Sequence, residues 1–245
     1  MKMIEVIDNL VSSSPTVTIV CCVHGDELFG KRVFNFYKKR IKQFSGLRII
    51  LANKLALQKR KRFIDSDLNR VFPGMVNGDQ EEKMAAELFP FINDMEYLLD
   101  IHTTTSDIKM TPIVVGLSQK IKEIINATNS LEVVFMEKNL AQGSLIGQSK
   151  KAASLEFGEE YCKSKQAMKE IIEIVGNLLN TTKKIAFKRF IYYIDETIPL
   201  TYVLPKNSKN FKKIPNYSIY PFLLNERSYT THQGFCTTKR VELLI

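Results

Sequence analysis

The sequence is poor in several features that mark particular classes of protein. It has no tryptophan, three histidines and four cysteines in 245 residues. Because no two cysteines form a CxxC pair, neither a disulfide framework nor a cysteine zinc site is predicted. Reduced and mostly buried thiols are expected instead, at Cys21, Cys22, Cys162 and Cys236.

Long apolar runs are also missing. No stretch reaches the roughly eighteen apolar residues that a transmembrane helix requires, so no membrane partner is expected. Glu5 and Asp8 interrupt the apolar stretch near the N-terminus, which disfavours a secretory signal peptide. A cytoplasmic location is therefore the default prediction.

Positive charge, by contrast, is in excess. The formal net charge is +9 at pH 7, and basic clusters occur at residues 38–40, 59–62 and 206–213. This balance fits a small anionic substrate, a nucleic acid or simply a basic surface. No zinc-finger or RNA-binding signature accompanies the basic clusters, so specific nucleic-acid binding is not expected.

The order of hydrophobic patterns predicts an α/β fold. Residues 16–23 are β-branched and apolar, as in a strand buried on both faces, and residues 28–41 show helical spacing. Residues 47–53 form a second strand, and such a βαβ unit implies a parallel or mixed sheet covered by helices. The same reasoning predicts further strands at residues 97–102, 111–116, 131–136 and 153–158.

The remaining pattern predicts two more helices and, near the end of the sequence, a change from helices to short β-like segments. Asp79 is placed to cap a helix over residues 80–94, and residues 165–179 are amphipathic. Residues 65–79 show no period and predict a long loop, which in a compact domain is usually functional. After Lys183 only short β-like segments follow. We therefore expect a catalytic domain over residues 1–183 and a small β-rich subdomain over residues 184–245.

Two of the histidines follow predicted strands. His24 comes after the first strand with Glu27 three residues later, and His102 ends the strand over residues 97–102. The HxxE spacing is weak by itself, but open α/β sheets place their binding crevice at such strand ends. Two histidines and a glutamate, with a fourth position open to water, are the ligand set of a catalytic zinc ion. Asp100 shares a strand face with His102 and is a candidate to orient it.

A catalytic zinc site also needs a base, a donor for the developing oxyanion and a group that binds the substrate. Glu156 lies in the apolar context "ASLEFG", where a carboxylate has no packing reason to sit, and is the candidate base. Arg62, Asn69 and Arg70 flank or occupy the irregular loop and are candidates for the other two tasks. Asp67 is expected only to structure the loop.

The segments "VHGDE", "RFIDSDLNRVFPG", "LLDIHTTTSD" and "SLEFG", in this order and spacing, resemble the succinylglutamate desuccinylase/aspartoacylase family. That family belongs to the zinc-carboxypeptidase superfamily, and residues 220–243 resemble the C-terminal domain of aspartoacylase. The resemblance implies a zinc-carboxypeptidase-like, mostly parallel mixed sheet flanked by helices. It also implies that the β-rich C-terminal subdomain caps the active site.

The resemblance further implies a role for each matching position. One zinc ion per chain is held by three ligands, and a base activates water and then protonates the leaving amine. The positions that match are His24, Glu27 and His102 for zinc, Glu156 for the base, Arg62 for the oxyanion, Asn69 and Arg70 for the substrate carboxylate, and Tyr229 for the pocket.

The sequence also departs from the family pattern. Cys22 stands where the family usually has glycine, and Asp26 where it usually has asparagine. Aspartoacylase has a further substrate-binding arginine before its catalytic glutamate, and the corresponding residues 141–156 contain none. Lys150 or Lys151 offers a point charge there but no bidentate fork, which puts N-acetylaspartate itself in doubt.

Together these features predict a zinc-dependent amidohydrolase that acts on an N-acyl amino acid or a similar small anionic amide. Two alternatives stay open: a carboxypeptidase-like enzyme on short peptides, and a basic nucleic-acid-binding protein with an incidental histidine pair. His232 has no partner motif and is expected at the surface. The oligomeric state is left open, and a homo-oligomer is one option.

Overall fold

Strands dominate the computed structural model, which describes residues 3–11, 16–180 and 187–245. The strands are β1 (Glu5–Asn9), β2 (Val17–Cys21), β3 (Leu47–Leu51), β4 (Tyr97–Thr104), β5 (Met110–Val114), β6 (Glu132–Met136), β7 (Ala152–Gly158), β8 (Lys188–Ile194), β9 (Glu196–Pro199), β10 (Tyr220–Phe222), β11 (His232–Thr237) and β12 (Arg240–Leu244). The α-helices are α1 (Leu28–Lys38), α2 (Lys54–Lys59), α3 (Gln80–Asn93), α4 (Gln119–Ala127), α5 (Glu159–Cys162) and α6 (Lys165–Leu179).

The main sheet has nine strands in the order β1-β3-β2-β4-β7-β5-β6-β8-β12. The adjacent strands β3, β2, β4 and β7 run parallel, whereas β1, β5 and β12 each form an antiparallel pair with a neighbour. Every residue of β2 and β3 is buried, as expected of strands covered on both faces. The predicted mixed, mostly parallel sheet is confirmed.

Helices cover both faces of this sheet, and alternate residues of each strand therefore enter different cores. Ile19 of β2 packs in a core with apolar residues of α1, α4 and α6. Its neighbour Val20 packs on the other face with residues of α3 and of the C-terminal segment. The period-two alternation of strand side chains produces this division.

Most predicted elements are confirmed, although some bounds differ and several short elements, including α5 and β9, were missed. The first helix ends at Lys38 rather than at residue 41, and Asp79 caps α3 in a capping box with Glu82. Strand β1 was missed because it is a half-polar edge strand. The short helices α2 and α4 were also missed, although Asn53 and Ser118 cap them through their side chains.

The C-terminal segment is β-rich, as predicted, but it divides between two sheets. Strands β9, β10 and β11 form a small antiparallel sheet, whereas β8 and β12 extend the main sheet beyond β6. The predicted boundary at Lys183 lies outside the described residues, and the division into two domains there stays a prediction. If it holds, the second unit contributes two strands to the sheet of the first.

Two expectations from composition concern cysteines and membranes. All four cysteines are free and buried. Among the described residues, no helix has both the length and the apolar character needed to cross a membrane.

Candidate active site

The predicted functional residues meet at the carboxyl ends of three adjacent parallel strands. His24 follows β2, His102 lies in β4, and Glu156 lies in β7. His102 and Glu156 are direct partners in the register of β4 and β7, so their side chains leave the sheet on the same side. Glu27 reaches this edge from the N-terminal cap position of α1.

The turn that links β2 to α1 is fixed by two small residues. Gly25 is needed because a Cβ there would lie 2.2 Å from the backbone carbonyl carbon of Ala56 in α2. Close approach of α2, rather than a left-handed turn, therefore explains this glycine. The left-handed conformation occurs instead at Cys22, which has φ = 58°. This explains why glycine suits that position in the family, since a residue with a Cβ is strained there.

His24, Glu27 and His102, called here the His–Glu–His set, are buried and close together. His24 Nδ1 lies 2.5 Å from Glu27 Oε1, and His102 Nδ1 lies 3.2 Å from Glu27 Oε2. One ligand atom from each of the three residues lies within 4.8 Å of the others. Two imidazole nitrogens and one carboxylate match the donors of catalytic zinc sites, so the residues present fit a zinc ion.

The second nitrogen of each histidine is held by a carboxylate. His24 Nε2 lies 3.0 Å from Asp67 Oδ1, and His102 Nε2 lies 2.8 Å from Asp100 Oδ2. Such contacts place the proton on Nε2 and leave Nδ1 free to bind a metal. The candidate role of Asp100 fits this contact. Asp67 does structure the loop, since it accepts a bond from the Asn69 backbone N–H, but it also orients His24.

The buried charges of the set stabilise one another. Burial opposes ionisation of Glu27, but the two histidines outweigh it and hold the pKa of this carboxyl well below its usual range. Burial alone lowers the pKa of His102, but Asp100 and Glu27 reverse this effect and raise it well above the ordinary value. The set is therefore a compact group of opposite charges.

Glu156 has the opposite electrostatic environment. Its side chain is buried, and burial raises the pKa of this carboxyl to about 8, with Glu27 and Glu226 adding to the effect and His102 opposing it. A carboxyl whose pKa lies near neutrality accepts and returns protons readily, as a general base and acid must.

Arg62 places a fixed positive charge beside the set. Its guanidinium lies 3.5 Å from Glu27 Oε1 and 3.6 Å from Asp67 Oδ2. Burial alone lowers the pKa of Arg62, but Glu27, Asp67 and Asp26 together raise it. The guanidinium is thus charged at every relevant pH and is positioned at the rim of the cavity described next.

A cavity of about 90 Å³ adjoins the set, and polar groups form one of its sides. Asn69 and Arg70 line that side from a single turn of 3-10 helix at Leu68–Arg70. Asn69 Oδ1 accepts a bond of 2.9 Å from the Leu145 backbone N–H, and its Nδ2 lies 3.4 Å from His102 Nε2. The predicted residues His24, His102, Glu156, Arg62, Asn69, Arg70 and Tyr229 all line this cavity.

The C-terminal segment contributes part of the cavity lining. Tyr229 lines it, and the Tyr229 ring stacks on the His232 ring at 4.3 Å between centroids and meets Phe235 edge-on. His232, which was expected at the surface, is half-buried, and its ring packs against that of Tyr229 three residues earlier. Nothing in the local sequence signals this contact.

Glu226 is a further residue that sequence reasoning missed. Its Oε2 accepts bonds from the Thr105 backbone N–H, at 2.7 Å, and from the Thr104 hydroxyl. Thr104 ends the strand that carries His102, so Glu226 ties the C-terminal segment to the site. These partners lie more than a hundred residues apart in the chain.

The comparisons with known proteins agree with this geometry. A family model described as "Succinylglutamate desuccinylase/Aspartoacylase catalytic domain" matches residues 13–182. The chain belongs to this family. The relatives and solved structures described next include probable aspartoacylases and a succinylglutamate desuccinylase.

Among curated relatives, a probable aspartoacylase of Prochlorococcus marinus (strain MIT 9312) is 27% identical over 147 residues, which is 53% of this chain and 49% of that protein. A probable aspartoacylase of Acaryochloris marina is 32% identical over 117 residues, covering 41% of this chain and 38% of that protein. The chain therefore spans no more than about half the length of these curated relatives.

Solved structures resemble the chain over almost its whole length. Murine aminoacylase 3 gives a TM-score of 0.73 at 18% identity, covering 96% of this chain and 100% of that one. The succinylglutamate desuccinylase of Chromobacterium violaceum gives 0.68 at 18% identity, covering 95% and 86%. At such low identity, the likeness supports the fold.

Proposed function

We propose that the protein is a zinc-dependent amidohydrolase that cleaves the amide bond of an N-acyl amino acid or a similar small anionic amide. The observation that carries this proposal is the position of Glu156. Its buried carboxyl stands beside His102 in the strand register, next to three residues that fit a zinc ion. A base beside a three-ligand metal site is the arrangement of a metallohydrolase.

His24, Glu27 and His102 would hold the zinc ion. A zinc ion bound there supplies Lewis acidity, which polarises a carbonyl and lowers the pKa of water toward neutrality. The other residues of the site would act through their own acid–base, charge and hydrogen-bonding properties.

Glu156, whose buried carboxyl has a raised pKa, would accept the proton of the attacking water and return it to the leaving amine. Arg62 would stabilise the negative charge that develops on the acyl oxygen. Arg70 and Asn69 would bind the carboxylate of the amino acid, and Tyr229 would close the pocket from the C-terminal segment.

The names of the curated relatives support the same class of substrate. Besides the probable aspartoacylases, an N-acyl-aromatic-L-amino acid amidohydrolase (carboxylate-forming) of Xenopus tropicalis is 29% identical over 111 residues. The cavity beside the set has a volume of only about 90 Å³, which matches a single amino-acid side chain better than a peptide. This favours acyl amino acids over the short peptides of a carboxypeptidase-like enzyme.

Zinc content and the replacement Glu156→Gln test the proposal together. The variant should bind as much zinc as the parent by elemental analysis but should lose at least about a thousandfold in turnover, since it cannot accept a proton. Glu160→Gln makes the same chemical change at an exposed position and should leave both properties unchanged. Normal hydrolysis by the Glu156 variant would contradict the mechanism.

The alternatives are tested with the same protein. Faster cleavage of short peptides than of acyl amino acids would favour the carboxypeptidase-like reading. Strongly salt-dependent binding to DNA or RNA without stoichiometric zinc would favour the nucleic-acid reading. A cytoplasmic location and assembly as a homo-oligomer stay predictions.

A further inference from the structure

We propose that the cavity beside the His–Glu–His set accepts an apolar amino-acid side chain. The preferred substrates are then N-acyl derivatives of residues such as leucine and methionine, rather than of aspartate or glutamate. This inference rests on the proposed amidohydrolase activity and adds to it the class of side chain that the site selects.

Much of the lining of the cavity is apolar, and this part is called here its apolar side. The side chains there come from β5, β6, the segment before β7 and the C-terminal segment. They are Ile113, Met136, Leu140, Ile146, Leu223 and Phe235. Four of them, Ile113, Ile146, Leu223 and Phe235, are at most 8% exposed.

The few polar groups on this side already have partners. The hydroxyl of Ser144 donates to the carbonyl of Ala141 at 2.7 Å, and that of Ser154 lies 3.5 Å from the carbonyl of Asp100. The Ser144 hydroxyl is thus engaged within the chain, and the Ser154 hydroxyl carries no positive charge to pair with a carboxylate. An apolar group of the substrate, by contrast, would exchange water for the surrounding side chains.

No cation serves this side of the cavity among the residues that the structure describes. The cations in the lining are Arg62, which is held between Glu27 and Asp67, and Arg70 on the opposite turn. Lys150 and Lys151 are exposed and are absent from the lining, and Lys151 Nζ donates to the Met95 carbonyl at 3.0 Å. A substrate aspartate would therefore lose its hydration without gaining a partner.

Among residues 141–156, the apolar side chain that lines the cavity is that of Ile146. These residues contain no arginine, and neither Lys150 nor Lys151 lines the cavity. Ile146 is buried and belongs to the same apolar cluster as Ile113 and Phe235. The departure from aspartoacylase thus replaces a binding charge with an apolar surface.

The test compares kcat/KM of the zinc-loaded protein for the N-acetyl derivatives of leucine, methionine, aspartate and glutamate. The apolar pair should exceed the acidic pair by at least about tenfold, the scale on which a pocket discriminates between side chains. Leu140→Ala should raise KM for the leucine compound roughly tenfold and leave kcat nearly unchanged, because it removes binding surface only. Ile146→Arg should reverse the preference, whereas Ile146→Leu should preserve it.

Binding separates this inference from the proposed function. The zinc-loaded Glu156→Gln protein, titrated calorimetrically, should bind N-acetylleucine more tightly than N-acetylaspartate. A preference for the acidic compounds would overturn the inference and leave the proposed activity unaffected. If Lys150→Met or Lys151→Met removed that acidic preference, the lysine concerned would be its source. If none of the compounds is hydrolysed, the proposed function fails, while the binding preference still decides which side chain the cavity accepts.

Discussion

Among the residues that the structure describes, two clusters bring three metal-ligating groups together, and they differ in what surrounds them. The His–Glu–His set lies at the strand ends. The second cluster, called here the acidic set, consists of Asp65, Asp79 and Glu81 near the start of α3. In both clusters one ligand atom from each residue lies within 4.8 Å of the others.

In the acidic set, the carboxylate of Glu81 already accepts hydrogen bonds from other groups of the protein. Glu81 Oε1 accepts bonds from the Asn53 side-chain amide and the Ile64 backbone N–H, at 3.0 and 2.8 Å. Its Oε2 accepts from the backbone N–H groups of Asp65 and Ser66, at 2.9 and 3.2 Å. Glu81 is fully buried, so these four donors fill its coordination. The acidic set thus holds in place the loop that carries Arg62 and Asp67.

The comparison teaches that proximity alone does not make a metal site. In the His–Glu–His set, the carboxylates of Asp67 and Asp100 hold the outer nitrogens and leave the inner ones directed at a common point. In the acidic set, the backbone already supplies the positive partners that a cation would supply. The predictions below test this difference, beginning with the largest expected effect.

Removing a ligand of the His–Glu–His set should abolish metal binding. Glu27→Ala is expected to lower zinc content from about one ion per chain to near zero, because two ligands do not hold zinc tightly. Elemental analysis after gel filtration measures this. Asp65→Asn, the matching change in the acidic set, should leave zinc content unchanged; equal losses in both variants would erase the distinction.

Breaking the acidic set should cost stability rather than metal. Glu81→Gln turns one acceptor oxygen into a donor facing buried N–H groups, and we expect a loss of about 3–5 kcal/mol in the free energy of unfolding. Urea titration of the zinc-free proteins measures it. A variant of unchanged stability that had lost zinc would show that the acidic set binds metal after all.

The buried carboxyl beside the His–Glu–His set should make the metal-free protein sensitive to pH. The pKa of Glu156 is about 8 in the folded protein, above its ordinary value in the unfolded chain. A raised pKa contributes stability at low pH that is lost as the pH rises toward 8. We expect a fall of about 2–3 kcal/mol between pH 5 and pH 7.5 from this group. In Glu156→Gln the fall should be smaller by that amount, measured by thermal unfolding across the range.

The smallest effect concerns the turn that enters the His–Glu–His set. Cys22→Ala keeps a Cβ in the left-handed conformation, whereas Cys22→Gly removes it. The glycine variant should be more stable than the alanine variant by about 1 kcal/mol, which urea unfolding can resolve. If alanine proves equal or better, the backbone at Cys22 is not strained.

Much of this site followed from the sequence because its residues sit on regular elements. Apolar strands predicted where His24, His102 and Glu156 leave the sheet, and parallel pairing places those ends together. The helix that Asp79 caps could also be predicted, because capping depends on residues a few positions apart in the sequence.

What could not be predicted depends on contacts between distant segments. Asp67 meets His24 across 43 positions, and the Glu226 carboxylate accepts a bond from Thr104 across 122 positions. The pairing of β8 with β6 joins the C-terminal segment to the main sheet, which composition alone does not reveal. The apolar lining required the same knowledge, since Ile146 looks like any core residue.

The pairing of β12 with β8 shows how the C-terminal segment is attached to the main sheet. Arg240 faces Tyr192 in an antiparallel register, so these strands are two arms of a hairpin whose connection has grown into the small sheet of β9, β10 and β11. In engineering terms, the small sheet of β9, β10 and β11 is an insertion held at both ends by the β8–β12 hairpin. Between these ends the segment is also held by packing, since its side chains Phe222, Leu223 and Phe235 enter the core of the main sheet.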